Sequence, residues 1–142
     1  MYKNPWLYHD QIWEPTEEEL KDLFGFVYCI TDPNGMKYIG KKQLWSKRTL
    51  KPLKGKKRKR RKIVESDWKE YYGSSETVKS LVEETNADGF KREILHFCKS
   101  KGELSYKELQ EQMDRRVLFK PDKYHNGIIQ ARINRIHVLD KM

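Results

Sequence analysis

With 142 residues the chain can hold one compact domain and not a second with its own core. Lys and Arg number 30 against 21 Asp and Glu, a net charge of +9, and 12% aromatic residues supply enough bulk to exclude a disordered tail. No stretch approaches the roughly 20 apolar residues of a membrane span, and Met1-Tyr2-Lys3-Asn4-Pro5-Trp6 lacks the charged-then-apolar order of a signal peptide, so a soluble, cytoplasmic protein with no membrane partner is expected.

Thr16-Glu17-Glu18-Glu19 is a capping box ahead of Leu20 and Leu23, which predicts a brief helix to about Phe24, ended by Gly25. Phe26 to Ile30 is a β-branched and aromatic run, Asp32-Pro33-Asn34-Gly35 is a turn signal, and Met36 to Gly40 can return as a second strand, so a β-hairpin is expected. Its alternation puts Phe26, Tyr28 and Ile30 on one face, while Tyr38 lies beside Gly40, where a missing side chain lets another group come close. Cys29 and Cys98 make neither a disulfide framework nor a zinc site, and both read as buried apolar residues.

Residues 47–62 carry eleven Lys or Arg and no acid, leaving 19 basic against 21 acidic residues elsewhere, so one segment makes the chain basic. Self-repulsion and scarce apolar surface, with Pro52 and Gly55 interrupting any helix, predict an exposed loop or arm. On such an arm Lys54, Lys56, Lys57, Arg58, Lys59, Arg60, Arg61 and Lys62 would neutralise phosphates, which gives affinity without sequence information. A localisation tag, an anionic-membrane patch and a solvated loop are the alternatives.

Beyond the arm, Trp68, Tyr71 and Tyr72 follow i, i+3, i+4 spacing after a Ser66 cap and stop at Gly73, the pattern of a short helix. Val78, Leu81 and Val82 mark the next helix, closed by Asn86 to Gly89, and Phe90 to Phe97 reads as a third strand. Ser105-Tyr106-Lys107-Glu108 is a capping box that would start a helix at Tyr106, running to about Phe119 through Leu109, Met113 and Val117 before Pro121. In that reading Glu108 only satisfies the backbone amide of Ser105. Asn126-Gly127 is a turn, Ile129, Ile133 and Ile136 suggest a closing helix, His125 reads as a loop residue, and His9, His96 and His137 lack metal-ligand spacing.

Gly25-Phe26-Val27-Tyr28, nine residues, then Tyr38-Ile39-Gly40 resembles the two-part signature of the GIY-YIG endonuclease superfamily. The order of the later landmarks is similar to small GIY-YIG proteins encoded by bacteriophages, including Seg-type homing nucleases: Lys41-Lys42, a basic insertion, Trp68 with Tyr71 to Ser75, Phe90 to Leu95, Glu108, and Tyr124-His125-Asn126. The resemblance covers about residues 24–130 and implies a divalent-metal phosphodiesterase. It implies that Glu108 is the one protein ligand of a single Mg²⁺ (or Mn²⁺), a hard cation otherwise content with water and phosphate oxygens, with Glu111 as the fallback one turn later. It implies catalytic roles for Tyr28 and Tyr38, with Lys41 and Lys42 as the cations that would activate a phenol, and a shaping role for Asn126. The family's arginine falls at Arg48, at the edge of the basic block, with Arg92 as its substitute.

The fold expected is α/β in the broad, α+β sense: one domain over 1–142 built on a small three-stranded antiparallel sheet flanked by helices. The function expected is metal-dependent cleavage of duplex DNA in a bacterial host cell, for homing, host-DNA degradation or interference with a competing genome. A DNA-binding protein that keeps the shell without cutting is the alternative, and an RNA-binding accessory protein is a third reading. One site cuts one strand per engagement, so double-strand cleavage would need a dimer or two successive events.

Overall fold

A computed structural model describes residues 2–133, 135 and 139. Near the start, β1 (Leu7–Tyr8) and β2 (Gln11–Ile12) form a miniature hairpin whose two turn residues, His9 and Asp10, both have positive φ, the backbone that two-residue hairpins require. Thr16 caps α1 (Glu17–Lys21) by accepting from the Glu19 N–H, as its capping box predicts. The central hairpin comes next as β3 (Gly25–Thr31) and β4 (Lys37–Gln43). Asp32 fastens its turn by accepting the Asn34 and Met36 amides on one carboxylate oxygen.

The basic segment is not a loop. It folds into an antiparallel two-stranded ribbon, β5 (Trp45–Leu50) with β6 (Arg60–Glu65), and only 51–59 form an irregular connection. After it, α2 (Glu76–Thr85) is capped by Ser75 and ends on Asn86 in the left-handed region, then β7 (Lys91–Cys98) enters the sheet. The expected short helix around Trp68 is instead a turn. Trp68 is buried in the core while Tyr71 and Tyr72 point toward different neighbours. Residues 125–133 carry no regular structure, and Ile136 and His137 lie outside the described residues.

The third helix is as long as expected but starts and ends five residues earlier. α3 spans Lys101–Asp114 and is capped by Ser100, whose hydroxyl accepts from the Glu103 amide while the Glu103 carboxylate accepts from the Lys99 amide. Two capping signals compete in Ser100 to Glu108, and the first one prevails. A short 3₁₀ turn, Val117–Phe119, closes this part of the chain. Met113 is 60% exposed and does not join the core.

The main sheet has five strands in the order β2-β1-β7-β3-β4, not three. β3 pairs antiparallel with both β4 and β7, whereas β1 lies parallel to β7 through Leu7 and Glu93. Strands of two residues carry no readable alternation, which is why the extra pair is silent in the sequence. β3 is covered on both faces. Phe26, Tyr28 and Ile30 pack with Trp6, Trp68, Val78 and Phe90, and Val27 and Cys29 pack with Ile39, Cys98, Leu104 and Val117. Both cysteines are buried and free, and burial pushes the Cys98 thiol up to about 12. Among the described residues no helix is long and apolar enough to cross a membrane.

Candidate active site

Tyr28 and Tyr38 share one face of the hairpin, because Tyr28 lies opposite Gly40 and Tyr38 opposite Ile30. Their rings are 6.3 Å apart, and Tyr71 meets Tyr28 edge-on at 5.9 Å. Gly40 is required by this arrangement: a Cβ there would lie 2.3 Å from the Tyr28 hydroxyl. Gly73, with φ +93°, brings the chain against both tyrosines, and Ser74 beside it is 3.0 Å from the Tyr38 hydroxyl. Burial, then the neighbouring Tyr71 and Tyr38 hydroxyls, push the Tyr28 phenol well above its ordinary value. Tyr28 is therefore a neutral hydroxyl at pH 7 and not a phenolate base. Lys42 lies on the same face, 4.2 Å above the Tyr71 ring, and donates to Asp67 at 2.6 Å.

The other face of the hairpin receives α3. Gly25 permits this packing, since a Cβ there would meet the Lys42 carbonyl at 2.4 Å and Leu104 at 2.9 Å. Because β4 is an edge strand, its outward amides need partners from outside the sheet. Asn126 supplies both halves of a mock strand by accepting from the Ile39 N–H at 3.0 Å and donating to the Ile39 carbonyl at 2.8 Å, and Gln112 also donates to that carbonyl at 3.1 Å. His125, held to Asp32 at 2.7 Å, donates its backbone amide to the Lys37 carbonyl. One step further along, the Glu108 carboxylate lies 4.0 Å from the Lys41 ammonium, which also donates to Ser105 at 3.0 Å. The Glu108 side chain is 13% exposed, and burial raises its carboxyl above the ordinary value despite the Lys41 charge.

Two hydroxyls on one face and one carboxylate with a lysine on the other thus flank the same stretch of edge strand, Tyr38 to Lys42. The model of the family described as "Putative endonuclease segE, GIY-YIG domain" matches residues 6–129. The chain belongs to this GIY-YIG endonuclease family. No curated protein and no solved structure matches the chain.

Within the GIY-YIG frame the other expected residues separate. Arg92 is 1% exposed and belongs to the core: its guanidinium donates to the carbonyls of Asn4, Tyr71 and Lys3 at 2.8, 2.8 and 3.1 Å and lies over the Tyr72 and Trp6 rings. So enclosed, it is out of reach of DNA. Arg48 is exposed on β5, opposite Lys62, not on a helix. Lys54 to Lys59 occupy the ribbon connection and Arg60 to Lys62 its return strand, all exposed. Glu111 is engaged by His96 at 2.7 Å and Arg115 at 2.9 Å; burial alone would raise its carboxyl, but these bonds hold it below the ordinary value. Sequence reasoning named Tyr71 and Ser74 only as landmarks of the resemblance and Ser105 only as a helix cap, and it missed Asp67, which carries no local signal.

Among the described residues no group of three or more His, Cys, Asp or Glu side chains is placed to hold a metal ion. Glu108 is nonetheless a mostly buried carboxylate whose ionisation is only partly compensated, so a cation beside it would relieve an existing cost. One carboxylate fits a hard ion that keeps several waters and shares substrate phosphate oxygens, and such a site binds weakly without substrate.

Proposed function

We propose that this GIY-YIG chain is a divalent-metal-dependent endonuclease of duplex DNA, encoded by a bacteriophage and acting as a single domain. The observation that supports it best is that Tyr38, backed by Tyr28, and the Lys41–Glu108 pair flank the two faces of one short stretch of edge strand, Tyr38 to Lys42. Glu108 would hold one Mg²⁺ or Mn²⁺, which when bound supplies positive charge against the phosphate and the leaving oxygen.

The chain's own groups divide the remaining work. Tyr28, neutral and enclosed between Gly40 and Gly73, is a positioning residue that sets the edge strand and the Tyr38 ring beside it. Tyr38, less buried and paired with Ser74, orients the attacking water. Lys41 neutralises charge that develops on the phosphate, in a half-buried setting where a fixed cation is worth more than in water. Asn126 positions, by fixing the Ile39 peptide between Tyr38 and Gly40. Arg48, at the root half of the ribbon, binds a flanking phosphate, for which a guanidinium fork is suited.

A plasmid-nicking assay tests this reading. Supercoiled DNA should be nicked in Mg²⁺, spared in EDTA, and spared by the Glu108→Gln protein, which should still bind duplex DNA. Retention of DNA without any nicking under Mg²⁺ or Mn²⁺ would replace the enzyme by a non-cleaving binding protein.

A further inference from the structure

The basic ribbon is an odd element for a free protein. Two-stranded ribbons are marginal in water on their own, and among the described residues this one has no third strand on either side. Arg48 stands directly opposite Lys62, a like-charge pair that weakens the ribbon. From Leu44 to Val64 the sequence contains no acid to relieve it. The nearest, Glu65, already accepts from the Trp68 indole at 2.7 Å.

Its root, by contrast, is firmly built. Leu44 is fully buried and is the single residue between β4 and β5. The Trp45 indole donates to the Leu23 carbonyl at 2.9 Å, the Ser66 amide to the Leu44 carbonyl at 2.8 Å, and the Ser66 hydroxyl to the Gln43 carbonyl at 2.7 Å. The ribbon therefore continues the strand that carries Tyr38 to Lys42, and where the ribbon rests fixes where that strand meets DNA.

The register divides its side chains into two sets, because cross-strand partners share a face. One face carries Arg48 with Lys62 and Leu50 with Arg60. The other carries Lys47 with Ile63 and Thr49 with Arg61, all four exposed, with Ile63 65% exposed. An uncovered Ile beside Thr and two cations is poor design for solvent. It is the set that base edges in a major groove match: a guanidinium for guanine O6 and N7, and methyl groups for the thymine methyl.

We propose that the β5–β6 ribbon lies in the DNA major groove with its Lys47, Thr49, Arg61 and Ile63 face against base edges, and so selects the sequence at which the edge strand cuts. The inference rests on the duplex-DNA reading above and adds to it a base-reading element. Strands about 5 Å apart with their side chains fit a groove about 12 Å wide and not one of about 6 Å. The deep, narrow major groove of A-form RNA does not admit them. The ribbon thus departs from the sequence-blind arm that charge alone suggests.

The test uses the full chain with Glu108→Gln, a pool of duplexes with a randomised centre, and sequencing of the bound fraction, alongside end-mapping of the same pool cut by the wild type in Mg²⁺. Both should report the same short base preference, and methylation of guanine N7 in it should block binding. Arg61→Gln and Ile63→Ser should each flatten that preference about tenfold at one or two positions, while the variants, altered only at exposed positions, keep the wild-type unfolding transition. Binding without base preference, a preference unchanged by both substitutions, or equal competition by double-stranded RNA would overturn the inference and leave the nuclease reading standing. Absence of any binding to duplex DNA would overturn both.

Discussion

Tyr28 and Gly40 face each other across β3 and β4, and the glycine leaves the space that the tyrosine hydroxyl fills. The two halves of the GIY-YIG signature are therefore one packing unit. In Gly40→Ala the new methyl would overlap the phenol oxygen and its ring carbon at 2.3 and 2.6 Å, an overpacking that should lower stability by about 1–3 kcal/mol. Urea unfolding should show a smaller loss when Tyr28→Phe is already present, since one of the overlapping atoms is then gone. Equal losses in both backgrounds would mean that the strain is released elsewhere.

Tyr28→Phe and Tyr38→Phe should both fold, because each keeps the ring and its aromatic neighbours. Single-turnover nicking rates should drop in at least one by about 100-fold or more, the loss expected for a positioned proton-bearing group. Tyr38→Phe is the more informative, because its hydroxyl meets Ser74 and not a closed pocket. Wild-type rates in both variants would reduce the tyrosines to core residues.

Glu108 gives a pH dependence with a definite sign. Burial raises its carboxyl, so the folded protein holds this proton more tightly than the unfolded chain, and ionisation costs stability as pH rises from the ordinary carboxylate value through the raised one. Replacing it by Gln should therefore raise the melting temperature relative to wild type more at pH 7 than at pH 4. Lys41 lowers the carboxyl by its charge, so Lys41→Gln should raise it further and move the acidic limb of the pH–rate profile to higher pH. A limb that stays in place would disconnect Lys41 from Glu108.

Arg92 has three carbonyl partners, and Arg92→Met would take this donor from Asn4 and Tyr71 and leave Lys3 only the long bond from the Tyr72 hydroxyl. A loss of about 3 kcal/mol or more is expected, and Arg92→Lys should not restore it, because an ammonium cannot span the same three oxygens in a plane. The folded fraction should keep the wild-type salt dependence of DNA binding. A shallower dependence would return Arg92 to the DNA surface.

Locality decides which elements are legible in the sequence. The central hairpin, the Thr16 cap and α2 are written in adjacent residues, and all three stand where the sequence puts them. Arg92 could not be placed because its partners, Lys3, Asn4 and Tyr71, are distant in sequence and offer only backbone carbonyls. The bidentate hold of Asn126 on Ile39 is hidden for the same reason. Charge counting found the basic segment but not its pairing, since cations lie on both faces of the ribbon and leave no hydrophobic alternation to announce it. Ser100 and Ser105 both begin capping boxes, and only the packing of Leu104 against Gly25 selects the earlier start.

The ribbon's two parts should separate in a salt titration. Lys54, Lys56, Lys57, Arg58 and Lys59 lie in the connection beyond the last cross-strand pair, Leu50 with Arg60, and all are exposed. Phosphates are the partners open to them, so replacing the five by Ser should weaken binding to every duplex alike. Each lost phosphate contact lowers the slope of log K against log salt by about 0.9, and three or four lost contacts lower it by roughly 3. Nicking at saturating protein should survive, because Glu108, Lys41 and the tyrosines are untouched, and the base preference carried by Arg61 and Ile63 should survive with it. An unchanged slope would show that the tip stays in solvent while the paired strands do the binding. Loss of nicking at saturation would place a tip cation beside the scissile phosphate, and would transfer to it the charge neutralisation assigned to Lys41.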